Sequence, residues 1–177
     1  MLIAIIVIVG FNKLRTSDIG AQEALGGIDV QLTRRAELIP NLVETVKGYA
    51  AHEKGVFEAV TQARANAISA GATGSPEQRA QAENILTGAL RSVFAVAEAY
   101  PQLQASQNFR DLQENLTATE DKIAFARRFY NGNVRDYNTG LQTFPTNILA
   151  GMFGFTAEQY FELTDAKERE APKVSFS

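Results

Sequence analysis

Phe109, Leu116, Ile123, Tyr130, Tyr137 and Phe144 stand at every seventh position of one stretch, with no proline between the first and the last. Large side chains at this period share one face of a helix, whereas a strand repeats every second residue. A helix of about 36 residues rises about 54 Å, so the chain is expected to build a rod. The companion positions Leu112, Thr119, Ala126, Asn133 and Gly140 become smaller and more polar, while Val134 and Leu141 appear one residue later. The stripe therefore drifts around the axis, as an undistorted helix of 3.6 residues per turn requires. Gly140 and Ala126 leave room for a close neighbour. Tyr130, Tyr137 and Phe144 read as core. Asn131 and Asn138, one step off the stripe and poor helix formers, are placed to hydrogen-bond to a neighbouring helix and fix register; the alternative is a polar strip for a partner or second subunit.

The remainder is also helical in pattern. Leu25, Ile28, Leu32, Ile39, Leu42, Val46, Tyr49, Val56, Val60, Ala63 and Ala67 share one heptad frame, interrupted by Arg35 and Glu53. Pro40 lies inside it, and a proline lacks the amide donor a helix interior uses, so a kink or restart is expected at Ile39 to Asn41. Gly71 to Ser75 reads as a loop. Ser75, Pro76 and Gln78 then form a helix start with a capping box. The helix that follows is expected to end near Tyr100 and Pro101, burying Ile85, Leu86, Ala89, Leu90, Val93 and Ala97. Beyond Pro145, the apolar piece Thr146 to Phe161 is expected to pack over one end of the bundle or against a partner. Residues 165–177 read as a polar tail, with Pro172 to Phe176 a possible docking strand. The expected fold is all-α: an elongated antiparallel bundle of three to four long helices with an N-terminal apolar, membrane-type helix.

That N-terminal element rests on Leu2, Ile3, Ile5, Ile6, Val7, Ile8, Val9 and Phe11, within an apolar run that precedes Lys13 and Arg15. Ten helical residues cover about 15 Å, roughly half of an apolar bilayer core about 30 Å thick. A secretory signal carries its basic residues before the apolar run and a small-residue cleavage site after it; neither is present. The run reads as an anchor facing lipid or the apolar interior of an assembly, with a buried core segment as the alternative. Residues 1–11 are thus divided from a bundle over 12–164. Lys13 and Arg15 favour a cytoplasmic body.

Chemistry has few candidates. With 17 basic and 20 acidic residues the net charge is −3, which offers no field for nucleic acid. The basic doublets Arg34-Arg35 and Arg127-Arg128 read as solvated helix faces, and Arg91 and Glu98 as a paired set. Cysteine is absent and His52 is the single histidine. A di-iron bundle needs Glu-x-x-His from each of two helices, and a nucleophilic triad needs parts this chain lacks. His52, beside Glu53, reads as a capping or ion-paired residue. The glycine-rich loop lacks the Gly-Lys-Ser/Thr ending of a phosphate loop. No cofactor, metal or catalytic residue is expected.

The ordered blocks Ile28-Asp29-Val30-Gln31-Leu32, Arg34-Arg35, Leu38-Ile39-Pro40-Asn41-Leu42-Val43 and His52-Glu53 resemble the signature of the LemA family. The resemblance continues through Tyr100-Pro101, Asn108-Phe109, Ala126-Arg127-Arg128, Tyr130-Asn131, Tyr137-Asn138, Phe144-Pro145, Gly154-Phe155 and Ala171 to Phe176. It implies a bundle of long antiparallel helices behind an N-terminal membrane helix, no established catalytic activity, and relatives implicated in shaping intracellular membranes. This chain departs from the family in its apolar segment, which has half the usual length and no basic residues before it. The expected function is a non-enzymatic, membrane-associated scaffold that self-assembles as a homo-oligomer through its apolar helix. The alternative is a membrane-anchored adaptor presenting the rod to a membrane enzyme or other protein.

Overall fold

The computed structural model describes residues 1–162, the side chains of Leu2 and Ile3 excepted. The reading of residues 165–177, with their docking strand, lies outside the described residues. Six helices follow one another, with no strand among the described residues: α1 Leu2–Lys47, α2 Lys54–Thr73, α3 Pro76–Glu98, α4 Pro101–Ala105, α5 Gln107–Gln142 and α6 Thr146–Phe153. Four are long, at 46, 20, 23 and 36 residues. The all-α expectation holds, but the membrane-type helix is corrected. The apolar run forms the first turns of α1, which continues without a break through Lys13, Arg15 and Asp18. No helix among the described residues is long and apolar enough to cross a membrane.

The sequence capping signal is realised at α3. The Gln78 amide donates to the Ser75 hydroxyl at 3.3 Å and the Gln78 side chain accepts from the Ser75 amide at 2.9 Å. The preceding loop is tighter than expected, since α2 runs to Thr73. α3 ends at Glu98, close to the expected stop, and Pro101 starts the short α4. At Pro40 the helix does not restart but continues to Lys47. Proline cannot donate to the Ala36 carbonyl one turn back; Arg64 of α2 does so instead, its Nε 2.6 Å from that oxygen.

α1 and α5 lie antiparallel along their lengths. Gly140 faces Leu14, Gly20 faces Asn133, Arg35 meets Glu120 and Thr45 meets Asn108. The α2–α3 hairpin covers the far half of α1, where Ile39, Leu42, Val46, Phe57, Val60, Leu86, Val93, Leu103, Phe109 and Leu116 form the largest core. The near half pairs α1 with α5 around Ile28, Ile123, Tyr130 and Val134, closed by Phe161, with Ala80 from the start of α3 also in this core. The drift of the α5 stripe is visible in burial: Val134 is buried beside Asn133, which is not. Gly140 does admit a neighbour, with Leu14 Cδ2 3.2 Å from where its Cβ would stand.

Charges also depart from expectation. The Arg doublets are not wholly solvated: Arg35 is fully buried and Arg127 nearly so, beside exposed Arg34 and Arg128. Arg35 ties three helices together, donating to Glu83 of α3, to Glu120 of α5 at 2.6 Å and to Thr87 at 3.1 Å. Burial works against its charge, but the two carboxylates outweigh it and raise its pKa. Burial pushes Glu83 up against the pull of Arg35. A guanidinium with no water is tolerable only when its charge is met in this way. The expected Arg91–Glu98 pair does not form, and His52 has no ion-pair partner among the described residues. Ile85, expected inside, is exposed.

Candidate functional site

The first turns of α1 meet α6 at one end of the molecule. Leu149 of α6 approaches so closely that a Cβ on Gly10 would lie 2.5 Å from its Cδ1. Leu14, Leu149 and Ala150 are buried there, with Val7, Leu141 and Phe155 against them. Phe11 stands edge-on to Phe153, ring centres 4.9 Å apart, and 5.7 Å from Phe155. One side of the run is thus satisfied by the protein itself, as the core alternative anticipated.

The other side is not. Ile5, Ile6, Ile8 and Val9 are exposed on α1, as are Ile148, Met152 and Phe153 on α6; Ile8 and Met152 retain 59% and 71% of their surface. Leu2 and Ile3 belong to the same helix. Ile148 and Met152 share the outer face of α6 at a spacing of four, so α1 and α6 together present an apolar end bordered by exposed Lys13 and Arg15. Phe144, expected in the core, is 80% exposed because α5 has ended at Gln142 and the chain turns at Pro145 before α6. α6 packs over one end of the bundle, as its apolar content predicted, and forms the second wall of this end.

α6 stops at Gly154, whose φ of 72° is the left-handed conformation that glycine adopts without strain. The chain then runs back along α5 as an extended strap over residues 155–162. Asn138 donates to the Glu158 carbonyl and accepts from the Glu158 amide, both at 2.9 Å. Asn131 repeats this at Phe161, at 3.1 and 2.9 Å. The Tyr130 hydroxyl donates to the Gln159 carbonyl at 2.7 Å and that of Tyr137 to Thr156 at 3.0 Å. The two asparagines therefore grip a strap, and not a neighbouring helix as expected. Tyr130 and Tyr137 are buried as expected, but each also holds the strap. Burial, then the charge of Glu158, pushes the Tyr130 phenol up to about 12, with Arg79 opposing. Tyr137 is raised by burial, then by Asp18 and Glu158. Both remain protonated donors at neutral pH.

Ile39 is core, while Pro40, Asn41 and Pro101 are exposed and Tyr100 is half-buried against the far core. Among the described residues no group of three His, Cys, Asp or Glu side chains could hold a metal.

This arrangement exposes apolar surface at one end and holds peptide backbone along one helix. The chain is 27% identical to magnetosome protein MamQ 2 of Paramagnetospirillum magneticum, over 86% of its own length and 64% of that protein's. It is 26% identical to magnetosome protein MamQ of Magnetospirillum gryphiswaldense, over 85% and 64%. It is 28% identical to protein LemA of Metamycoplasma hominis, over 78% and 63%. The chain thus spans less than two thirds of the length of these relatives. The LemA family model matches residues 24–176, and the chain belongs to the LemA family.

Proposed function

We propose that this protein is a non-enzymatic, membrane-associated scaffold that seats its apolar end in lipid and self-assembles through it. One observation carries the reading: α1 and α6 expose Ile5, Ile6, Ile8, Val9, Ile148, Met152 and Phe153 together at one end. The similarity to relatives named for the magnetosome supports it. Full burial of one such side chain is worth about 1.5–3 kcal/mol, so several half-exposed ones give a usable but modest attachment. An apolar end that enters one leaflet needs no membrane crossing, and Lys13 and Arg15 stand where they can reach the headgroups. Attachment by one copy is weak; copies held together raise the effective concentration and bind firmly.

Vesicle flotation tests this. The full chain is expected to float with phosphatidylcholine–phosphatidylglycerol vesicles and to sediment as an oligomer. The exposed substitutions Ile5→Asn, Ile8→Asn and Met152→Asn together should abolish both while leaving helicity unchanged. A wild-type chain that neither floats nor associates, or a triple variant that does both as well as wild type, overturns the reading.

A further inference from the structure

A cleft of about 370 Å³ lies where the strap crosses the outer flank of α5, lined by Arg127, Arg128, Asn131, Gly132, Arg135 and Tyr160. The chain carries a net charge of −3, yet from Lys122 to Arg135 it has four cationic side chains and no acid. Three of the four line the cleft, and all three are arginine.

Each wall has a cause in the fold. Successive residues of an extended segment face opposite ways. Phe161 is fully buried in the near core, so Tyr160 faces out beside α5 and supplies the outer wall. Asn131 commits both amide groups to the Phe161 backbone, at 3.1 and 2.9 Å, and so fixes that wall. Gly132 keeps the floor low, since a Cβ built there would meet nothing within 4 Å. Nearly buried Arg127 closes the inner side. Arg128 and Arg135 are exposed, one on each side of Gly132. Seven residues put them two turns, or about 10.5 Å, apart along one face, so their long side chains can close on one group seated over Gly132.

The protein holds neither of these two guanidiniums firmly. Arg128 has no ion pair among the described residues. Arg135 reaches its neighbour Asp136 at 3.3 Å, with the two side chains 70% and 72% exposed, a contact worth little in water. Two open forks select the ligand's chemistry. A carboxylate has two oxygens and is satisfied by one guanidinium, whereas a phosphate group has the oxygens and the charge to engage two. The volume, at the small end of ligand sites, suits that group on a short organic stem.

We infer that this cleft binds the phosphate group of a phosphate ester, with Arg128 and Arg135 clamping its oxygens and Tyr160 beside its stem. Two sources offer such a group, a soluble metabolite and a lipid headgroup, because Arg135 stands only about 7.5 Å along α5 from Gly140, which packs on Leu14 at the apolar end. Nuclear magnetic resonance of the full chain titrated with inorganic phosphate tests the site. Saturable shifts are expected at the Gly132 amide and at the Arg128 and Arg135 guanidiniums. Arg128→Gln with Arg135→Gln should weaken binding by about tenfold or more with helicity retained, whereas Arg34→Gln, at an exposed arginine of α1, should not. Arg128→Lys with Arg135→Lys keeps the charge, loses the forks and should also bind more weakly. The absence of a saturable shift, the same shift with acetate at equal ionic strength, or binding indifferent to the glutamine or the lysine pair overturns the inference. Flotation separates the sources. A glutamine pair that floats with phosphatidylcholine–phosphatidylglycerol vesicles as wild type does assigns the site to a soluble ester. One that floats less with these vesicles, but equally with phosphatidylcholine alone, assigns it to the headgroup. The Ile5→Asn, Ile8→Asn and Met152→Asn variant should bind inorganic phosphate as wild type does, so failure of this site and failure of the apolar-end reading are told apart.

Discussion

Single residues decide whether the long helices of this molecule remain continuous. Pro40 removes the donor that the Ala36 carbonyl needs, and the Arg64 Nε 2.6 Å away replaces it from another helix. Arg64→Met should cost about 1–3 kcal/mol of stability, the penalty for a polar group left without its partner. Pro40→Ala in the same chain should recover most of that loss by restoring the amide. Thermal unfolding of the two single variants and the double variant measures the coupling, and strict additivity contradicts the account. Arg35 poses the opposite case, a charge with three partners in the interior. Arg35→Met should cost about 3–5 kcal/mol because it strands a buried carboxylate. Arg35→Met with Glu83→Leu should be much less harmful, in the same unfolding experiment. Sequence reading placed Pro40 and Arg35 as irregularities in an apolar stripe, yet could not name their partners. Arg64 and Glu83 sit 24 and 48 positions away in the numbering, and nothing in a helical period announces such distant meetings.

The strap shows how two different elements come into register. A heptad advances about 10.5 Å along a helix at about 1.5 Å per residue, and three extended residues cover about 10 Å. The pairs Asn138–Glu158 and Asn131–Phe161 follow this match, seven positions on α5 against three on the strap running the other way. Tyr137–Thr156 and Tyr130–Gln159 keep the same interval. Each asparagine acts as a spare peptide group, presenting one donor and one acceptor. The repeat Tyr-Asn at period seven was legible; that its partner is extended backbone was not, because either kind of neighbour would give the same spacing. Asn138→Leu removes both bonds at Glu158, and should speed hydrogen exchange of the Glu158 and Phe161 amides without unfolding the far half. Unchanged exchange at Phe161 would show that the rungs act separately. The tyrosines add a pH dependence. Folding raises the Tyr130 pKa from 10 to about 12, so the folded state holds its proton more tightly. Stability is present below about pH 10 and falls as pH rises from there to about 12. Tyr130→Phe should flatten that part of a base-denaturation curve.

Across the whole molecule the packing is uneven, and the unevenness follows from where the α2–α3 hairpin reaches. It thickens the far half into a bundle with the largest core, whereas the near half depends on α6 and the strap to close a pair of helices. The long amphipathic stripes made the elongated bundle readable, since every stripe must be covered. The division in thickness was not readable, because α1 is apolar on one face throughout and carries no mark where its covering helices stop. Local stability in such a body should grade from end to end. Gly10 provides the test: a side chain there meets Leu149, already 2.5 Å from the Cβ position. Gly10→Val should force α6 outward, with the cost of about 1–3 kcal/mol typical of overpacking. Hydrogen exchange is expected to accelerate at Leu149, Ala150 and Phe155, while Leu42, Val60 and Val93 keep wild-type protection. Faster exchange at both ends would mean that the two halves unfold as one unit, and the attachment of α6 would then govern the rod as a whole.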